Sequence, residues 1–325
     1  MARVGFTEDI AACYVLHRSL GLPYSKDAWH ALPDMWGDML SKGAMKLFLV
    51  EDRLRPVESR IVSFNAAVIV TEDFCLQARS MISPYLGVKV AQQYLSQESP
   101  VLNPEQVAHA NASAGVNMMM CFEGWAHHEL SREQWLMLRE KQSEAFHLAV
   151  GGYRVREFVA DSVQQETLQW MLDAGARLRY DYSNYFRNNR AHKAQSSQGP
   201  WLVGLTKEEA FAHPGTKIAD LFIFSPPRFH FTRAQQALLQ HALMGKTCET
   251  LAASLSVSTW TVKKRWHAIY DRVADVDREL LPPSIAYSAE VSSRGMERRR
   301  QLLNYLRQHL EELRPYAKQS LRSRS

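Results

Sequence analysis

Hydrophobic and polar positions change period several times along the first 190 residues. "AMKLFLVED" (44–52) and "RIVSFNAAVIVTEDF" (60–74) both predict strands, the second long and rich in β-branched residues. "VNMMMCFEGW" (116–125) predicts a third strand. "SREQWLMLREKQSEAFHLAVGG" switches to helical spacing, with Ser131 placed to cap it and Gly151–Gly152 to end it. "YRVREFVADSV" predicts a fourth strand, "QQETLQWMLDAGARL" a second helix and "RYDYSNYF" a final strand. Alternating strand and helix patterns predict a mixed α/β domain over residues 1–190.

The pattern then breaks. "AHKAQSSQGP" (191–200) is small and polar, which marks a linker. Residues 191–228 read as linker plus a short capped helix, "LTKEEA", with "SPPRF" stopping any helix before the next module. Between 229 and 275 the pieces are all helical and tightly joined. "TRAQQALLQHALMG" places Ala234, Leu238 and Ala242 inward and stops at Gly245. "TCETLAASL" follows, with Thr247 as cap and Leu251, Ala252 and Leu255 on one face. "SVS" is a three-residue turn, and Ser258 can cap a third helix. In that helix Val262, Trp266, Ile269 and Val273 fall within roughly 60° of one another, a core stripe. Trp260, Lys264, His267 and Asp271 lie opposite, with Lys263 on the flank. Two helices joined by such a turn, the second carrying cations, form a helix-turn-helix pattern, so the C-terminal domain is predicted all-α. Residues 276–325 form a basic helical extension. There Leu302, Leu303, Leu306, Leu310 and Leu313 make a stripe suited to a dimer seam, and Arg298–Arg300 suit phosphate contact.

Composition sharpens this division. The chain has 325 residues, 46% of them apolar, enough for more than one core. Its net charge of +5 is unevenly placed: from Arg228 to Ser325 there are 17 Lys and Arg against 9 Asp and Glu. A basic C-terminal part suits a polyanion, although a solvated basic face has the same composition. The four cysteines (Cys13, Cys75, Cys121, Cys248) are scattered, which fits a reducing cytoplasm and argues against a disulfide framework. No apolar run approaches a membrane span, and Glu8 and Asp9 interrupt any signal-peptide core, so a cytoplasmic protein is expected.

The segment Phe231–Val273 resembles the LuxR-type helix-turn-helix of bacterial transcription regulators. Thr232, Gly245, Leu251–Ala252, Leu255, Val257, Ser258, Thr261–Val262–Lys263, Ile269 and Val273 stand at that family's spacing. The resemblance implies that Lys263, Lys264 and His267 face the major groove of double-stranded DNA, with Thr261 and Arg265 nearer the backbone. Thr259 and Trp260 complete the expected DNA-binding set. Gln235 and Asp271 depart from the family pattern, and "DVDRELLPPS" stands where the family's short fourth helix usually follows.

The N-terminal part lacks the acidic strand ends of a phosphoryl receiver and the aromatic–acidic pattern of an acyl-homoserine-lactone sensor. Its strand–helix order resembles the acetyltransferase-like GNAT fold. That family holds the diphosphate of acetyl-CoA on a Gly-rich turn, where this chain has "EGWAHHELSREQW" with the single Gly124. The resemblance therefore implies a fold whose cofactor cradle is lost. "CFEGWAHHE" offers Cys121, Glu123, His127, His128 and Glu129, but adjacent histidines on a helix diverge by about 100°, so polar loop residues are the expectation and no metal site is assigned. Trp29, Met35 and Trp36 read as core rather than ligand pocket, and Met118–Met120 as strand packing.

The resulting expectation is a cytoplasmic, homodimeric transcription regulator that binds DNA through its C-terminal domain. Its N-terminal domain would act as scaffold or sensor of a small-molecule effector, with no catalytic residue, cofactor or enzyme activity. The alternative is a GNAT-type N-acetyltransferase with an appended helical module. A third reading is an interaction module whose basic face meets an acidic partner.

Overall fold

A near-continuous apolar run such as Ile61–Val70 can bury both of its faces only in the middle of a sheet covered by helices on both sides. That is its position in the computed structural model, which describes residues 1–80, 84–126, 130–183, 185, 200–282 and 291–317, without side chains for 291–295. The chain divides into two compact units, Met1–Ile223 and 224–318.

The first unit is mixed α/β, built on a seven-stranded sheet of order β1-β2-β3-β4-β5-β7-β6. The strands are β1 Ala2–Val4, β2 Met45–Glu51, β3 Ile61–Val70, β4 Val116–Trp125, β5 Val155–Ser162, β6 Arg177–Asp181 and β7 Trp201–Thr206. Among the described residues β4 and β5 pair in parallel, and the other strand pairings are antiparallel. The parallel pair needs a crossover, and α6 (Arg132–Val150) supplies it. Ser131 caps α6 in a capping box with Gln134, and the helix ends at Gly151.

One sheet face packs Leu47, Phe64, Val68 and Met119 against α1 (Ile10–Arg18), α2 (Lys26–Ser41), α3 (Glu72–Ser80) and α4 (Leu86–Leu95). The other packs Phe48, Ile69, Met118 and Phe158 against α5 (Pro104–Ala112), α6 and α7 (Gln165–Asp173). Each such buried side chain contributes about 1.5–3 kcal/mol relative to exposure, which fixes both helical layers on the sheet.

Three sequence expectations are corrected here. The run predicted as a strand to Phe74 ends at Val70, and "TEDF" instead enters α3. Trp201–Thr206 is no linker: its apolar residues form β7, which inserts between β5 and β6, and α8 (Lys207–Ala212) follows it. Ile218, Leu221 and Phe222 are buried in the same unit, so residues 201–222 complete the sheet domain. The strand expected over 179–186 is shorter and earlier, Arg177–Asp181; residues 191–199 lie outside the described residues.

The second unit is helical: α9 (Arg233–Leu243), α10 (Cys248–Ser254), α11 (Thr259–Val276) and α12 (Val291–Gln308). Thr232, Thr247 and Ser258 cap the first three, and Gly245 takes a positive φ of 80° at the exit from α9. The turn from α10 to α11 is Leu255–Ser256–Val257, with Ser256 at φ 51°.

Two further corrections concern this unit. Ala234 is exposed, whereas Gln235 and Gln236 are buried, because Gln235 closes the capping box and Gln236 donates to the Arg314 carbonyl at 2.7 Å. Residues past 291 are not a free extension: Leu302, Leu306, Leu310 and Leu313 are buried, α12 packs on α9, and Glu312 accepts from the Arg228 and Phe229 amides at 2.8 and 3.0 Å.

Candidate functional site

The geometry of β4 opens a cleft in the first unit. Phe122 pairs with Ala66 and Met120 with Ala67, so Cys121 is an extra residue on β4, a β-bulge. The parallel ladder between β4 and β5 runs from Val116↔Val155 to Met120↔Ala160 and stops at that bulge. Beyond it the two strands carry Glu123 and Asp161 into one pocket, which Tyr24, Tyr85, Gly87 and Cys121 also line. Gly87 is required here: a Cβ would lie 2.5 Å from the Cys121 carbonyl and 2.7 Å from the Tyr24 hydroxyl.

Both carboxyls are perturbed toward neutrality. Burial pushes Glu123 up to about 8, with Arg139 pulling it down and Asp161 pushing it further up. Burial pushes Asp161 up to about 7, opposed by the Leu86 amide, which donates to its Oδ2 at 2.8 Å from the first turn of α4. Two interacting carboxyls in one pocket titrate as a pair.

Behind them His17 is fully buried, ringed by Tyr24, Trp29, Trp36, Phe64 and Phe122. Its Nδ1 lies 2.7 Å from the Glu123 carbonyl oxygen, so Nδ1 must be the donor, and Nε2 accepts from the Tyr24 hydroxyl at 3.0 Å. Burial lowers His17 to about 4 and raises Tyr24 well above the ordinary tyrosine value, so the histidine stays neutral and the phenol protonated. The arrangement offers two proton-exchanging carboxyls at neutral pH and a hydroxyl held in a fixed orientation.

The start of α6 does not fit a diphosphate. The Ser131 hydroxyl already occupies the Gln134 amide, Gln134 occupies the Ser131 amide, and Glu133 places a carboxylate in the first turn. Gly124 lies within β4 and meets Phe64 and Leu16, so it serves packing rather than a ligand. His127, His128 and Glu129 lie outside the described residues. Met35 and Trp36 are core residues, and Trp29 packs edge-on to His17.

In the second unit α11 buries Val262, Trp266, Ile269, Tyr270 and Val273. Thr259, Trp260, Lys263, Lys264 and His267 are exposed, while Thr261 and Arg265 are half-buried. Trp260 is 67% exposed, and the Lys264 ammonium lies over its ring, 5.3 Å from the centroid. Among the Arg298–Arg300 cluster, Arg299 stacks on Trp266 and donates to the Lys246 carbonyl, Arg298 stacks on Tyr270, and Arg300 pairs with Glu297. Two of these arginines are thus committed to fixing α12 on α11.

The sequence reading assigned no role to His17, Tyr24 or Asp161. The readable signal was a carboxylate inside each of two apolar strand runs, "MMMCFEGW" and "FVADSV".

Neither protein-family models nor curated proteins match the chain. Among solved structures, the C-terminal condensation domain of Ebony in complex with β-alanyl-dopamine is 12% identical, covering 63% of this chain and 98% of that one at a TM-score of 0.39. A mutant of spermidine N-acetyltransferase SpeG from Vibrio cholerae is 7% identical, covering 63% and 94% at a TM-score of 0.35. FeeM, an N-acyl amino acid synthase from uncultured soil microbes, is 8% identical, with the same coverage and a TM-score of 0.33. These likenesses are weak. Two of these proteins are by name an N-acetyltransferase and an N-acyl amino acid synthase, so the expectation that the chain is not an enzyme finds no support in them and is withdrawn. Among the described residues no helix is long and apolar enough to cross a membrane.

Proposed function

We propose that the first unit is a GNAT-like N-acyltransferase, which passes an acyl group from a thioester to an amine. The observation that carries this reading is the pair of perturbed carboxyls, Glu123 and Asp161, at the point where the β4–β5 ladder stops beyond the bulge. An ammonium acceptor must lose a proton before its lone pair can attack the thioester carbonyl. Glu123, poised near 8, is the group to take it. As the C–N bond forms and the C–S bond breaks, the nitrogen gives up its second proton and the leaving thiolate takes one up, which balances the step. Because the start of α6 does not fit a diphosphate, acyl-pantetheine thioesters are the appropriate test donors. Amine-dependent thiol release by the full chain, lost in Glu123→Gln, is the expected result. No release with any acyl-pantetheine and any amine of a polyamine and amino-acid panel would overturn the reading.

A second reading, for the second unit, is sequence-selective binding of double-stranded DNA by a LuxR-type helix-turn-helix. It is supported by the exposed face Trp260, Lys263, Lys264 and His267 on a capped helix that follows a three-residue turn. Lysines there supply phosphate affinity, and the same face reads base edges. The two readings join as a transcription regulator that carries its own acyltransfer site or senses a ligand through it. Lys263→Ala and Lys264→Ala should each lower the salt slope of DNA binding by about 1. Unchanged affinity at physiological salt in both variants would sink it.

A further inference from the structure

A second cavity of the first unit, of about 60 Å³, lies on the α6 face of the sheet. Its walls are Phe48, Phe146, Phe158 and Trp170; Arg139 faces it from α6, and the exposed Lys217 stands at its rim. Arg139 is only 4% exposed. Its guanidinium lies over the Trp135 ring at 4.3 Å, flanked by Trp125 and Trp170. Nη1 donates to the Gln142 side chain at 3.0 Å and Nη2 to the Thr167 hydroxyl, while Nε has no partner.

No carboxylate forms an ion pair with Arg139 among the described residues. Glu123 and Glu166 act on it only through space, and burial pulls it down to about 10. An always-charged group buried without an ion-pair partner is costly, and two neutral hydrogen bonds and the ring faces leave its charge unneutralised.

We infer that this cavity binds a small apolar monocarboxylate, its carboxylate turned to the Arg139 guanidinium and its apolar body between the four aromatic walls. The planar guanidinium fork matches a carboxylate. A phosphate suits the cavity poorly, because one buried cation among aromatic rings cannot replace the hydration of a dianion. Met120 lines both this cavity and the Glu123–Asp161 cleft, so an occupant would press on the wall of that cleft. The inference does not rest on acyl transfer, and its test reads binding rather than turnover.

The probes are propionate and butyrate against their primary amides, matched to the small cavity and titrated calorimetrically into the full chain at neutral pH. Each acid should bind about tenfold or more tightly than its amide. Arg139→Gln should bring that ratio to about 1 while leaving amide binding in place. Should Arg139→Gln fail to fold, the wild-type acid-to-amide ratio still decides, and Phe146→Ala should weaken acid and amide alike. Equal affinity for acid and amide, absence of binding at millimolar acid, or displacement of the acid by inorganic phosphate would each overturn the inference.

Discussion

Replacing Glu123 with glutamine should stabilise the protein, and only at high pH. The carboxyl, ordinarily near 4.5, stands at about 8 in the folded chain, chiefly because burial penalises its charged form. Between those values the folded protein keeps a proton that the unfolded chain has released. Stability therefore falls as pH rises through that window. At about 1.4 kcal/mol per tenfold change in proton affinity, the full difference approaches ~5 kcal/mol. Glu123 is partly open to solvent and shares its repulsion with Asp161, which leaves about 2–3 kcal/mol for this group alone. Glutamine has the shape of the protonated acid and cannot ionise. Thermal melts of wild type and Glu123→Gln should coincide near about pH 5 and separate by about 5–10 °C near about pH 9, with the variant higher. A separation that is constant with pH, or has the opposite sign, would refute the buried-carboxyl account of the cleft.

Gly87→Ala would force a Cβ against the Cys121 carbonyl and the Tyr24 hydroxyl, and should cost about 1–3 kcal/mol in urea unfolding. Glu209 is held down to about 2, first by its hydrogen bond from Arg179 and then by the Thr206 amide, so its contribution is present above the ordinary carboxylate value and is lost as pH falls toward 2. Arg179→Gln should therefore cost about 1 kcal/mol at neutral pH and little near that lower limit, as read by acid titration of the circular dichroism. Ser258→Ala removes the cap that accepts from the Thr261 amide and should cost about 1 kcal/mol, visible as faster amide exchange in the first turn of α11. Leu302→Ala should destabilise the second unit by about 2–5 kcal/mol in chemical denaturation, because the side chain is fully buried.

The elements that could be read from the chain were those whose local pattern and tertiary setting agree. β4 spans Val116–Trp125 and α6 begins after Ser131, as apolar run and capping box require. The stripe Val262, Trp266, Ile269, Val273 is buried as its spacing demands. What could not be read was decided by partners distant in sequence. Trp201–Thr206 resembles a start after a linker until β5 and β6 are known to lie on either side of it. The leucines of α12 look like a dimer seam until α9 is found covering them. The bulge at Cys121 is invisible in "MMMCFEGW", because a register shift belongs to two strands and not to one.

That bulge ties the fold to its chemistry. An unbulged β4 would continue the ladder past Met120 and close the space in which Glu123 and Asp161 now meet. Closing it would bury both carboxyls further, at a desolvation cost that the Leu86 amide beside Asp161 and the charge of Arg139 acting on Glu123 offset only in part. Several local rules are broken here together: a residue extra to its ladder, two acids within apolar strands, a glycine opposite a backbone carbonyl and, among the described residues, a guanidinium without an ion-pair partner. Each costs stability by itself, and all of them border the space between β4 and β5 or the cavity that shares Met120 with it. Departures from local rules that meet at one pocket mark it as a place where the fold gives up stability for chemistry.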